Sequence, residues 1–228
     1  MEIMRTHNKT VYGLDPEFNW EQILEIHMLK LAKEYKPDWY RWKLTNNFER
    51  AVFLKGDPVL PREATRYIWA NQNLYGNTVL EIGCSTGFGS QFLPRDIQYK
   101  GIDYDHTIIE VAKEQDWGNR DFEFADINTF NLGFYDTIIA FEVIEHLSNG
   151  LHIVEKLKQH CKRLLITVPH HEPVGFWGEH HKLHGLSEQN FPGFEFGYIN
   201  EAGFISNEPP PINDLNRCNL MICRWTNA

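Results

Sequence analysis

The sequence predicts a doubly wound α/β domain with a mostly parallel sheet, on three observations. From residue 77 onward, short β-branched runs alternate with stretches of helical periodicity. The first run ends in a glycine-rich turn, VLEIGCSTGFGSQFL at 79–93. Acidic residues then stand at or just past the ends of the runs that follow, at Asp103, Asp126 and Glu142. Strands joined through helices pair in parallel with right-handed crossovers, and such sheets hold ligands at the carboxyl ends of their strands.

Residues 1–76 read as a helical, aromatic-rich extension, and 77–228 as the α/β domain. In the extension, Asp15-Pro16 places a capping carboxylate before a proline suited to the first helical position. Ile23, Leu24, His27, Leu31 and Ala32 follow near one face, and Pro37 stops the run. Trp39, Tyr40, Trp42, Phe48 and Phe53 come next, and a second helix starts near Pro61 and runs through Tyr67, Ile68 and Leu74 to Gly76. Two readings of this segment stand: aromatic packing onto the main domain, or a lid that grips substrate.

In the domain, strands are expected at 78–82, 99–102, 122–125, 135–141 and 163–168, and helices at 88–94, 106–116 and 149–161. Two more strands, 204–207 and 220–225, flank Glu208-Pro209-Pro210-Pro211, which cannot lie inside a sheet.

Composition narrows the class. The 228 residues are 42% hydrophobic and 23% charged, ordinary for a globular protein. No stretch approaches the ~18 apolar residues of a membrane span, and the N-terminus lacks a secretory apolar core. A cytoplasmic location with no membrane partner is the expectation. The four cysteines, Cys84, Cys161, Cys218 and Cys223, form no C-x-x-C pair, so reduced thiols are expected. The formal charge of −9 argues against a broad phosphate-tracking surface and so against a nucleic-acid partner.

The glycine turn carries the chemistry. Glycines allow unusual backbone angles and close approach of a ligand, and a helix beyond the turn offers free N–H donors. The spacing of Gly83, Gly87 and Gly89 fits neither a dinucleotide fingerprint nor a P-loop, and no lysine follows. Glu81, inside the strand end, would repel a pyrophosphate but accept hydrogen bonds from a cationic amino-acid group. The pattern therefore favours S-adenosylmethionine (SAM). Asp103, 22 residues after Glu81, suits the ribose hydroxyls with Tyr104 beside it. Asp126 can accept from the adenine amino group with Ile127 packed on the ring. Phe141 and Glu142 lie at the edge of the fourth strand.

On these motifs, residues 77–225 resemble the class I SAM-dependent methyltransferases, close to the group that holds ubiquinone-biosynthesis and other small-molecule enzymes. The resemblance implies a Rossmann-like methyltransferase fold of seven strands, the last antiparallel. It places Glu81, Gly83, Cys84, Ser85 and Gly87 around the methionine part, Asp103 and Tyr104 at the ribose, Asp126 and Ile127 at the adenine, and Phe141 and Glu142 alongside. The family usually writes E-x-G-x-G-x-G, and Ser85 replaces the middle glycine. A positive φ there would cost serine about 1–2 kcal/mol.

Methyl transfer needs a positioned nucleophile and, where that nucleophile carries a proton, a base. His146 and His170 are the candidates, with Glu142, Glu145 and His171 nearby. Five of the eleven histidines fall within 170–184, as a base cluster, as structural residues, or as part of a metal site. The E-x-x-E-H pattern of Glu142, Glu145 and His146 also resembles the small-RNA 3′-terminal 2′-O-methyltransferases, which would make His181 or His184 a further ligand. The segment EPVGFWGEHHKLHGLSEQNF at 172–191, with Gly175 and Gly178, reads as a cover over substrate or as a packed crossover. The acceptor expected is an oxygen or nitrogen of a small or sugar-like molecule. The alternatives are an RNA 2′-O-methyltransferase using a metal and a non-catalytic subunit that binds a partner protein. A homodimer is compatible with the sequence.

Overall fold

The computed structural model describes residues 52–57, 59–213 and 215–227. The chain divides between Leu60 and Pro61 into two compact units. In the first, Asp57 caps a turn by accepting the Leu54 N–H at 2.9 Å. The expected Asp15-Pro16 helix and the aromatics Trp39, Tyr40, Trp42 and Phe48 lie outside the described residues.

The second unit opens with helix α1 (Pro61–Asn73), begun by a proline that has no N–H to leave unpaired. There follow β1 (Thr78–Ile82), a 3-10 turn (Phe88–Phe92), β2 (Gln98–Asp103) and α2 (His106–Glu114). Asp105 caps α2 through the Thr107 and Ile108 N–H groups. Next come β3 (Arg120–Phe124), β4 (Tyr135–Phe141), a 3-10 turn (Ile144–His146), α3 (Gly150–Lys158) and β5 (Cys161–Pro169). A long loop with a 3-10 turn (Glu188–Asn190) leads to β6 (Glu195–Ile199), β7 (Ile205–Ser206) and β8 (Leu220–Thr226).

The strands form one sheet in the order β3-β2-β1-β4-β5-β8-β6-β7. β1 pairs in parallel with both β2 and β4, so the winding reverses between β1 and β4. That reversal opens the crevice in which such sheets bind ligands. β8 runs antiparallel to β5 and β6.

The doubly wound sheet and antiparallel last strand agree with the sequence reading, and β4 has the expected bounds. Three local expectations change. The segment after the glycine turn is a five-residue 3-10 turn instead of a helix over 88–94. Strand β6 is additional, and the strand expected at 204–207 shrinks to the two residues of β7. The sheet thus has eight strands, the eighth a short edge piece.

Side chains alternate across each strand. Leu80, Ile82, Ile138, Ala140, Leu164 and Ile166 pack with Ile153, Val154 and Leu157 of α3 in the main core. Burying each such side chain stabilises the fold by roughly 1.5–3 kcal/mol before entropy is counted. Glu81, Ile139 and Phe141 fall on the opposite alternation, where α1 lies: the Tyr67 ring stands 5.2 Å from that of Phe141.

Candidate active site

The glycine turn is built by backbone pairing. Gly83 and Cys84 N–H both bond the Ile102 carbonyl, at 2.8 and 3.1 Å, and Gly87 N–H bonds that of Cys84. Gly83 (φ 71) and Gly87 (φ 77) take left-handed conformations, and so does Ser85 (φ 51). Ser85 therefore carries the strain that its sequence position threatened. Added Cβ atoms would strike Val143 at 2.5 Å from Gly83, Phe122 at 2.4 Å from Gly87 and Tyr67 at 2.0 Å from Gly89. These glycines make room for the protein's own side chains. Cys84 is fully buried and packs near Gly101.

Asp103 closes the turn from the end of β2. Its Oδ2 accepts the Ser85 N–H at 3.1 Å and its Oδ1 the Asp105 N–H at 3.0 Å. The carboxylate thus holds the strained residue in place, and Tyr104 beside it is exposed. Asp126 is exposed and bonds Asn128 through its backbone N–H at 2.9 Å and its side chain at 2.8 Å. Ile127 is only 5% exposed and belongs to the main core.

Glu81 is 1% exposed, and both its oxygens are taken by tyrosines. Tyr67 donates to Oε1, and Tyr99 to Oε2 at 2.5 Å. Burial pushes its carboxyl up to about 7, against the two hydroxyl donors that pull it down. Arg66, also buried, pairs with Glu63 at 3.0 Å and lies over the Tyr67 and Phe141 rings. Through these two hydrogen bonds the carboxylate ties α1 and β2 beneath the glycine turn.

At the end of β4, Phe141 is buried and Glu142 adopts φ 54. The Glu142 N–H bonds the Thr167 carbonyl at 3.0 Å, and its Oε1 accepts from the Thr167 hydroxyl at 2.9 Å. Glu145 is fully buried, and among the described residues neither of its carboxylate oxygens has a hydrogen-bond partner. Burial, then the charge of Glu142, drives its carboxyl well above the ordinary range. Burial raises Glu142 as well.

The histidines of 170–184 divide into two groups. His181 joins His146 and Glu145, their ligating atoms all within 4.8 Å of one another. The His146 and His181 rings meet edge to face at 4.6 Å. His181 Nδ1 lies 2.5 Å from Glu172 Oε2, and His184 Nδ1 is 3.9 Å from the other oxygen. His170 and His171 turn to Glu188 instead. Sequence reasoning missed Glu172, although its place directly after His170-His171 and nine residues before His181 was a signal. It also missed Arg66, Tyr67, Tyr99, Glu188 and Tyr198, which no motif marks.

Residues 80–164 match the family model described as a methyltransferase domain. That stretch, from β1 into β5, is what the chain shares with the family. The fold is shared with solved structures of methyltransferases. The plantazolicin methyltransferase BpumL, in complex with SAH, is 16% identical, with 91% of this chain and 98% of that chain covered at a TM-score of 0.56. Magnesium protoporphyrin IX methyltransferase (ChlM) from Synechocystis PCC 6803, with bound SAH, is 16% identical over 86% and 97% of the two chains, at 0.54. The methyltransferase domain of bacterial CtHen1-C is 14% identical over 74% and 98%, at 0.54. A search of the curated proteins finds no match. Among the described residues, no helix is long and apolar enough to cross a membrane.

Proposed function

We propose that this chain transfers a methyl group from SAM to an oxygen or nitrogen of a small-molecule or sugar-like acceptor. One observation supports the reading: the glycine turn, Asp103 and Glu142 follow the carboxyl ends of the neighbouring strands β1, β2 and β4, within the stretch that matches a methyltransferase-domain model. Gly83, Cys84, Ser85 and Gly87 would cradle the methionine part, and Asp103 with Tyr104 the ribose. Asp126 would take the adenine amino group, and Phe141 and Glu142 would form the neighbouring wall. The sulfonium of bound SAM supplies an activated methyl group. The protein's task is then to align the acceptor and hold its proton, a role that suits the His146 imidazole. Glu81 acts one layer below, through Tyr67 and Tyr99.

Calorimetric titration with SAM and its demethylated product tests this. Micromolar binding is expected, and Asp103→Ala should weaken it by about 1–3 kcal/mol, or roughly 5- to 150-fold. No binding by the unsubstituted protein would favour a non-catalytic role.

A second reading is favoured by Glu145. A carboxylate that is fully buried without a hydrogen-bond partner, beside His146 and His181, suits a divalent cation. Glu172 orients His181 through Nδ1, as a carboxylate commonly does behind a metal-binding histidine. Glu142, Glu145, His146 and His181 would hold the ion, which would draw the acceptor hydroxyl's electrons and ease loss of its proton. Under this reading the acceptor is an RNA 2′-hydroxyl. Turnover should then stop with chelator and return with Mn2+ or Mg2+, and in Glu145→Gln the added metal should fail to restore it. Turnover indifferent to chelator would leave His146 as a plain base.

A further inference from the structure

At the end of β5 a second group of ligating side chains stands apart, sharing no residue with Glu145, His146 and His181. The His170 side chain is 8% exposed, and its Nε2 lies 3.2 Å from Glu188 Oε1. Among the described residues that nitrogen has no hydrogen bond of regular geometry, the nearby carboxylate being its close neighbour. Two ligands of one tetrahedral zinc ion show such a spacing: bonds of about 2.0–2.1 Å put the donor atoms roughly 3.3 Å apart. His171 supplies a third donor. Its ring centroid is 4.2 Å from that of His170, and one ligating atom from each of the three residues lies within 4.8 Å of the others.

The surroundings fix these donors. Tyr198 donates to Glu188 Oε1, the orienting contact that ligating carboxylates usually receive. A reciprocal cap between Ser187 and Asn190 holds the 3-10 turn that carries Glu188. His171 is kept at φ 52, a conformation costly for a residue with a Cβ, while its N–H bonds the Leu186 carbonyl at 2.8 Å. His170 N–H bonds the Asn219 carbonyl at 2.8 Å, which ties it to the approach to β8.

We propose that His170, His171 and Glu188 form a binding site for a zinc-type divalent ion, with the fourth position open to water. Two imidazoles and one carboxylate around a tetrahedral ion are a donor set that suits zinc. The ion clips the loop after β5 to the 3-10 turn before β6. A His170 ring engaged in this way is withdrawn from service as a base, which leaves that role to His146.

The full chain, stripped with chelator and desalted, is titrated with Zn2+ by calorimetry and with Co2+ by visible absorption. Neither SAM nor acceptor is present, so the methyltransferase reading is tested separately. The unsubstituted protein should bind zinc and give the intense visible bands of tetrahedral cobalt. His171→Ala, at an exposed position, and Glu188→Gln should each weaken this binding at least tenfold, with near-ultraviolet circular dichroism unchanged. In His181→Ala the binding that His171→Ala removes should remain. Absence of zinc binding by the unsubstituted protein overturns the proposal. So does zinc affinity unchanged in both His171→Ala and Glu188→Gln.

Discussion

Ser85 shows how a single residue bears on the site. Its φ of 51 places a Cβ where the left-handed conformation disfavours one, between two left-handed glycines. The strain persists because Asp103 accepts the Ser85 N–H and because the turn pairs with Ile102 on its other side. Ser85→Gly should raise unfolding stability by about 1 kcal/mol, the relief of strain being partly offset by greater freedom in the unfolded chain. Urea unfolding of the two proteins measures it, and a loss of stability would show that the serine side chain contributes more than its backbone costs. Glu142 and His171 share this conformation, so the three strained non-glycine residues among those described all lie in or beside the candidate sites.

The decisive element is α1. It places Arg66 and Tyr67 on the sheet face that carries Glu81 and Phe141, with Tyr67 stacked at 6.2 Å on Phe92 and edge-on at 5.4 Å to Phe88. The helix therefore supports both sides of the glycine turn. Tyr67→Phe keeps the ring but leaves Glu81 Oε1 buried without its donor, at a cost of about 1–3 kcal/mol. A two-state unfolding comparison checks this, and a change below ~0.5 kcal/mol would mean that Tyr99 alone satisfies the carboxylate. Such a small change is the ordinary range for a surface substitution, and Tyr67 is 2% exposed.

At the scale of the whole molecule, buried carboxyl groups set the pH dependence of folding. Glu81 has its pKa raised from 4.5 to about 7, so the folded state binds its proton more tightly than the unfolded chain. Its contribution is full below pH ~4.5 and is lost as pH rises through about 7. At roughly 1.4 kcal/mol per unit, this amounts to about 3 kcal/mol. Glu142 and Glu145 shift in the same direction. Denaturation of the wild type against Glu81→Gln between pH 5 and 7.5 should show the wild type losing ground steadily. Parallel curves would place the Glu81 titration outside this window.

The sequence alone determined the parts governed by local chemistry. Short β-branched runs marked β1 and β4, helical periodicity marked α2, and the glycine turn with Asp103 marked the crevice, because each signal spans only a few consecutive residues. Strand β6 escaped notice because Gly197 weakens its pattern. Only packing explains that glycine, since an added Cβ would crowd Ile222 of β8 at 3.2 Å. The same limit applies to Glu81: its strand position was legible, but the face it points to was covered by a helix whose docking no short window records. Tertiary structure likewise sorted the histidines, sending His181 to Glu145 and His170 to Glu188, and it brought Glu172 and Tyr198 behind them. Those contacts join residues far apart in the chain. Their energies exist only after the sheet has assembled, so local periodicity holds no trace of them.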